Sequence, residues 1–205
     1  MPVETSAPRW RHGRAGEGAR ENARTRILEA AYALFSRHGV HAVGIDRIIA
    51  EAPVAKATLY HHFASKQDLV CAFLELRERR WTLDWLQAET ERRARDERER
   101  ALVVFDLLEQ WFRRPDFEGC PFINTMLETS DGSDHVVRRA AIRHLDVVRG
   151  ILERYARQAG AANPADLGGQ LQMLMMGAIV SASRGEVGAA RQARGVAELL
   201  IARGG

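Results

Sequence analysis

The stretch KATLYHHFASK, residues 56–66, sets Tyr60, His61 and His62 side by side between Lys56 and Lys66, the only two lysines of the chain. The segment gathers lysine, threonine, tyrosine, histidine and serine side chains that all hydrogen-bond, and its flanks say what element carries them. Upstream, Ile45, Ile48 and Ile49 share one face of a short helix predicted over 45–52, with Gly44 as its N-cap. Pro53 stops that helix, because proline cannot donate to the helix ladder. A second short helix is predicted over 55–62, with Leu59 turned inward and Phe63 closing it. Downstream, Ser65 and Asp68 form a capping box. A long fourth helix starts there and carries Leu69, Phe73, Leu76, Trp81 and Trp85.

Two short helices joined by a tight turn, the second rich in polar donors, describe a helix-turn-helix. An α-helix fits the DNA major groove, where base edges and the thymine methyl are readable. The residue types suit that surface. Lys56 neutralises a phosphate, Thr58 meets a base edge or methyl, and Tyr60 and His61 offer donors and flat rings. Lys66 opens the fourth helix, where free N–H groups also favour a phosphate. Two positions keep a second reading: Tyr60 as a core aromatic beside Leu59 and Phe63, and His62 in the seam with the first helix. His61 and His62 are adjacent and point apart on a helix, so they do not pair on a metal as an (i, i+4) couple does, and no metal site is expected.

Working outward, Ile27, Ala31, Leu34 and Phe35 recur at helical spacing after Asn22, and Gly39 ends that first helix. Residues 1–21 are aperiodic and rich in Gly, Ala, Arg and Pro, and read as a disordered basic arm. The net charge is +3. Residues 1–70 hold ten basic and seven acidic residues, leaving twenty of each for the rest, so the excess lies at the front. That asymmetry fits a polyanionic partner, and for Arg9 to Arg14 it fits a solvated tail equally well.

The remainder is helical. The run 89–100 is almost wholly charged and reads as a helix end, a turn and a helix start. ALVVFDLLEQWF is apolar on most sides and predicts a buried helix. CPFINTMLE predicts a short one. Residues 134–158 carry an amphipathic stripe, and two further helices are predicted over 165–183 and 186–202. No segment alternates with period two for long enough to be a strand. The expectation is an all-α protein of about nine helices, with 46% hydrophobic residues for its core. No apolar run reaches the ~18 residues of a membrane span, and the N-terminus lacks the apolar centre of a signal peptide. Cys71 and Cys120 lie in unrelated contexts. A cytoplasmic protein is expected. No nucleophile set, metal cluster or phosphate-binding loop is present in the sequence, so neither an enzyme nor a cofactor is expected.

Residues 24 to about 76, and TLYHHFASK above all, resemble the N-terminal domain of the TetR family of transcriptional regulators. That resemblance implies a DNA-binding domain over 22–65 and a helical ligand-binding and dimerising domain over 66–205, with 66–88 as the linking helix. It places Lys56, Ala57, Thr58, Tyr60, His61 and His62 at the groove or the backbone, and Lys66 at a phosphate. The chain departs from the common pattern at three positions. Pro53 stands where glycine is usual, and Gly44 and Ala55 stand where a Ser or Thr hydroxyl often caps; a lost cap costs roughly 1 kcal/mol at the alanine and tenths at the glycine. GCPFINTMLE is similar to a Gly-Cys-…-Asn stretch of some members.

The resemblance further implies a repressor that a small-molecule effector releases from a palindromic operator on double-stranded DNA. The implied pocket lies among helices four to eight. Its candidate walls are Trp81, Trp85, Phe105, Trp111, Phe112, Cys120, Phe122, Met126 and Met175, each of which also reads as plain core. Cys120 is a candidate sensor, although Asp116 and Glu118 nearby do not favour a thiolate. Two reading heads require a homodimer. Leu167, Leu171, Leu174 and Ala178 form one candidate interface stripe, and Val187, Ala190, Ala197, Leu200 and Ile201 supply another, with Gly168, Gly169 and Gly177 allowing close approach.

Overall fold

A computed structural model describes residues 22–129 and 134–204; the arm expected over residues 1–21 lies outside them. The described residues form nine helices and no strand, and they divide into two compact units after Phe73.

The N-terminal unit contains α1 (Ala23–His38), α2 (Ile45–Glu51), α3 (Lys56–His62) and the start of α4. Asn22 caps α1 by accepting the Arg24 N–H at 3.1 Å. Gly39 ends it at φ +82°, a conformation that disfavours a Cβ, while its N–H returns to the Phe35 carbonyl. Gly44 and Ala55 start α2 and α3 with no side-chain cap. Ser65 supplies the missing kind of bond for α4. Its hydroxyl accepts the Asp68 N–H at 3.0 Å and donates to the Asp68 carboxylate at 2.9 Å. Ile27, Ile48, Leu59 and Phe73 are fully buried here, each contributing about 1.5–3 kcal/mol by leaving water. The Phe73 ring meets Tyr32 and Phe35 at 5.5 and 5.4 Å. These ring contacts tie Phe73 to the N-terminal unit, and the two units part after it; the domain expectation drew the line at 65/66.

The C-terminal unit is built from one long helix and five others. Helix α4 runs without a break through Lys66–Arg77, a π-helical stretch Glu78–Gln87, and Ala88–Arg93. A single 3₁₀ turn, Glu97–Glu99, leads to α5 (Arg100–Phe112). Then come α6 (Pro121–Glu128), α7 (His135–Gln158), α8 (Pro164–Ser183) and α9 (Ala189–Gly204). The charged run resolves into local pairs: Arg92 and Arg93 both donate to Glu89, and Asp96 caps the turn through the N–H groups of Arg98 and Glu99. Helix α8 packs on α7, α9 lies against α8 and α5, and α6 lies against α7. The α7–α8 contact is close enough that a Cβ on Gly168 would sit 2.8 Å from the Glu153 backbone, so only glycine fits.

Candidate functional site

Helix α3 is anchored through one residue. Leu59 is fully buried and Phe63 nearly so, with the Arg24 guanidinium 5.1 Å over the Phe63 ring. The anchor turns the rest of the helix outward. Lys56, Ala57, Tyr60 and His61 are exposed, while Thr58, His62 and Lys66 are half-buried. Tyr60 is 44% exposed, so its ring is not a core aromatic. The His61 and His62 rings sit edge to face at 5.1 Å. The surface is a short row of donors and flat rings on a rigid support, which suits reading base edges.

Two cations beside this row are already engaged inside the unit. The Lys56 ammonium donates to the Asp46 carboxylate at 2.9 Å, which raises the lysine pKa. Arg47 donates to Nε2 of His38 at 2.7 Å. Lost hydration, then Arg47 and Arg37, lower the His38 pKa and keep its ring an acceptor. The Lys56–Asp46 pair is open to water, at 59% and 86% side-chain exposure, so a phosphate competes for Lys56 at little cost. Sequence reasoning passed over Asp46. Its signal was an acidic residue in the first turn of α2, where it also favours the helix dipole.

In the C-terminal unit, Trp81, Trp85 and Trp111 form an aromatic cluster with centroids 4.8–6.3 Å apart, extended by Phe112 and Phe117. The Arg77 guanidinium, only 6% exposed, lies 5.7 Å from the Trp81 ring and 5.9 Å from that of Trp111. A cavity with about 10 Å³ of free space touches Trp81, Cys120, Phe122 and Met175 among the nine candidate wall residues, together with Gln172 and Met176. Trp85, Phe105, Trp111 and Phe112 are buried away from its lining, and Met126 is half-buried outside it. Burial pushes the Cys120 thiol pKa up, which leaves little thiolate for chemistry. His144 is 3% exposed; its Nδ1–H donates to the Glu78 carboxylate and its ring stacks on Phe122 at 5.2 Å. The sequence held a signal for it, since residue 144 falls on the stripe of Val137, Ala141, Val148 and Ile151.

Helices α8 and α9 use part of each candidate interface stripe inside the chain. Leu171, Ala190 and Ala197 are fully buried, and Leu167 and Ala178 nearly so. The open apolar face lies one step round: Met173 and Leu199 are 67% and 60% exposed, and Val180, Val187 and Val196 are exposed as well. Leu174, Leu200 and Ile201 are half-buried. A groove of about 470 Å³ runs along this face, lined by Met173, Leu174, Gly177, Val196 and Leu200 among others. Gly177 faces open space, whereas Gly168 and Gly169 lie against Glu153 and Arg149 of α7.

Among the described residues, no group of three or more His, Cys, Asp or Glu side chains is placed to hold a metal, and no helix is long and apolar enough to cross a membrane.

Comparisons with known proteins converge on one family. Residues 27–73 match the model for bacterial regulatory proteins of the tetR family. The crystal structure of SCO4454, a TetR-family transcriptional regulator from Streptomyces coelicolor, superposes with a TM-score of 0.78 at 30% identity, covering 89% of this chain and 95% of that one. The HTH-type transcriptional regulator UidR of Escherichia coli (strain K12) is 33% identical over 106 residues, which are 52% of this chain and 40% of UidR. The HTH-type transcriptional repressor SCO4008 of Streptomyces coelicolor is 44% identical over 55 residues, 27% of this chain and 29% of that protein. The matched segments thus span two-fifths or less of these curated relatives.

Proposed function

The chain belongs to the TetR family of bacterial regulatory proteins, and from that premise we propose that it is a cytoplasmic, homodimeric DNA-binding repressor released from its operator by a small molecule, and not an enzyme. The observation that carries the reading is the exposed donor row of α3, held on a three-helix support by Leu59 and Phe63. In the proposed complex α3 lies in the major groove. Thr58, Tyr60 and His61 meet base edges, Ala57 allows close approach, and His62 flanks the contact. Lys66, and Lys56 once it leaves Asp46, neutralise phosphates.

One such helix reads too few base pairs to find a single site in a genome, so two copies act together on a palindrome. The open face of Met173, Gly177, Val196 and Leu199 supports a second copy as its occupant, since two helices from each chain close a four-helix bundle over an apolar groove. The effector acts by binding the DNA-incompetent arrangement more tightly than the competent one, without which no release follows. Selecting duplexes from a random pool with the full chain, and then measuring affinity against salt, tests the reading. Enrichment of a palindrome and a strong fall of affinity with salt support it; recovery of no sequence removes it.

A further inference from the structure

Met173 stands apart from the other methionines among the described residues. It is 67% exposed, whereas Met175 is 3% exposed and Met126 and Met176 are half-buried. Its place on α8 accounts for this. Helical side chains lean back towards the N-terminus, so a side chain at position 177 would lie over residue 173. Position 177 is glycine, and a Cβ there would meet nothing within 4 Å, so Met173 has no cover from its own helix on that side. Both residues line the groove of about 470 Å³, with Leu174, Val196 and Leu200. The most exposed methionine of the described residues thus sits in the face that the pairing reading gives to a second copy. The thiols are less open to an oxidant: Cys120 is buried with its pKa pushed up, and Cys71 is half-buried.

A thioether and its sulfoxide behave as opposites on an apolar face. The thioether packs as a soft apolar group, and the sulfoxide adds a polar oxygen that asks for a donor or for water. We propose that Met173 is an oxidation site through which a peroxide controls the pairing of two chains. This rests on the homodimer reading above. In the step, the O–O bond of hydrogen peroxide breaks as one oxygen bonds to the Met173 sulfur. The sulfur gives up two electrons, and the second oxygen leaves as water with both peroxide protons. Methionine sulfoxide reductases return the product to the thioether, so the change is reversible. In the pair the second copy covers Met173, so attack runs through the single chain. Once oxidised, that chain sets a polar oxygen among Leu174, Val196 and Leu200, which offer it no side-chain donor. The interface is two-fold, so each pair carries the change twice.

Hydrogen peroxide treatment of the full chain tests the proposal, read by peptide mass spectrometry for the site and by sedimentation for pairing. Met173 should gain its oxygen before Met126, Met175 and Met176, and more slowly in concentrated than in dilute protein. The dissociation constant of the pair should then rise about a hundredfold, as roughly tenfold for each buried oxygen without a donor requires. Reductase treatment should restore pairing. Met173→Leu keeps the face apolar and removes the sulfur, so it should pair like the untreated protein and ignore peroxide. Gln170, Ser181 and Gln192 also line the groove; if one of them satisfies the sulfoxide, pairs survive with Met173 oxidised, and the proposal is overturned while the homodimer stands. Equal loss of pairing in Met173→Leu, prior oxidation of another methionine, or a rate indifferent to protein concentration also overturns it alone. An untreated chain that sediments as a monomer overturns the homodimer reading, and this proposal with it.

Discussion

The outer face of α3 and the outer face of α8 and α9 are both open to water, and they are opposites in chemistry. Helix α3 offers a lysine, a tyrosine and a histidine around one buried leucine. Helices α8 and α9 offer methionine, leucine and valine around a groove. A polar face suits a partner that is met and released, since each contact has water as an alternative. An apolar face suits a lasting partner, since water offers those side chains nothing. On the proposed reading, one chain presents two interfaces with different lifetimes, and substitutions should separate them.

The largest effect is expected on the apolar face. Leu199→Arg leaves the single chain intact, because Leu199 is 60% exposed. In a dimer it buries an unpaired charge, at about 3–5 kcal/mol. Sedimentation should show a folded monomer that has lost its palindromic site. Leu171→Arg is the contrast: that position is fully buried, so the chain itself should fail to fold, as circular dichroism will show. Equal behaviour of the two variants breaks the distinction between core and interface on α8 and α9.

Next in size are the base-reading positions. Thr58→Ala and His61→Ala should each change the preferred duplex at about 1–3 kcal/mol per lost contact, with no change in sedimentation. An unchanged sequence preference in both removes α3 as the reading helix.

A smaller effect separates charge from recognition. Asp46→Asn frees Lys56 from its 2.9 Å partner. Affinity should rise alike for selected and random duplexes, and the salt dependence should steepen by about one charge. Lys66→Ala should shift both in the opposite sense. A rise confined to the selected duplex assigns Asp46 to base reading instead.

The smallest effect belongs to neither face. Arg92 and Arg93 hold the Glu89 carboxyl at about 2. A lowered carboxylate pKa stabilises the fold above its unfolded value near 4.5, and that contribution is lost as pH falls from there towards 2. Glu89→Gln should therefore lower stability by about 1 kcal/mol or less at pH 7 and flatten the acid limb of a melting curve. An unaltered acid limb removes Glu89 from the acid response.

The two faces also differed in how legible they were. The α3 region declared itself because short helices leave few choices: Pro53 ends one helix, Ser65 caps the next, and Leu59 alone must turn inward. In the C-terminal unit the helices were readable from their spacing, but their facing was not. Helix α8 carries apolar residues on several sides, so Leu171 and Met173 look alike in sequence although one is fully buried and the other 67% exposed. Which side meets α7 is decided by Gly168, which lets Glu153 approach, and those two residues are fifteen positions apart in the chain. The Glu78–His144 pair was hidden for the same reason, because its partners are 66 residues apart and neither belongs to a local motif.

The central claim is that α3 reads DNA as one of a pair. Its most direct test is titration of the full chain into a selected palindrome, and into the same duplex with one half-site scrambled, at several salt concentrations. Tight binding of two chains to the intact palindrome is expected, with affinity falling steeply in salt and a loss of about a hundredfold or more when one half is scrambled, as several mismatches at about 1–3 kcal/mol each require. Equal affinity for the intact and scrambled duplexes, or binding of one chain alone, would contradict it.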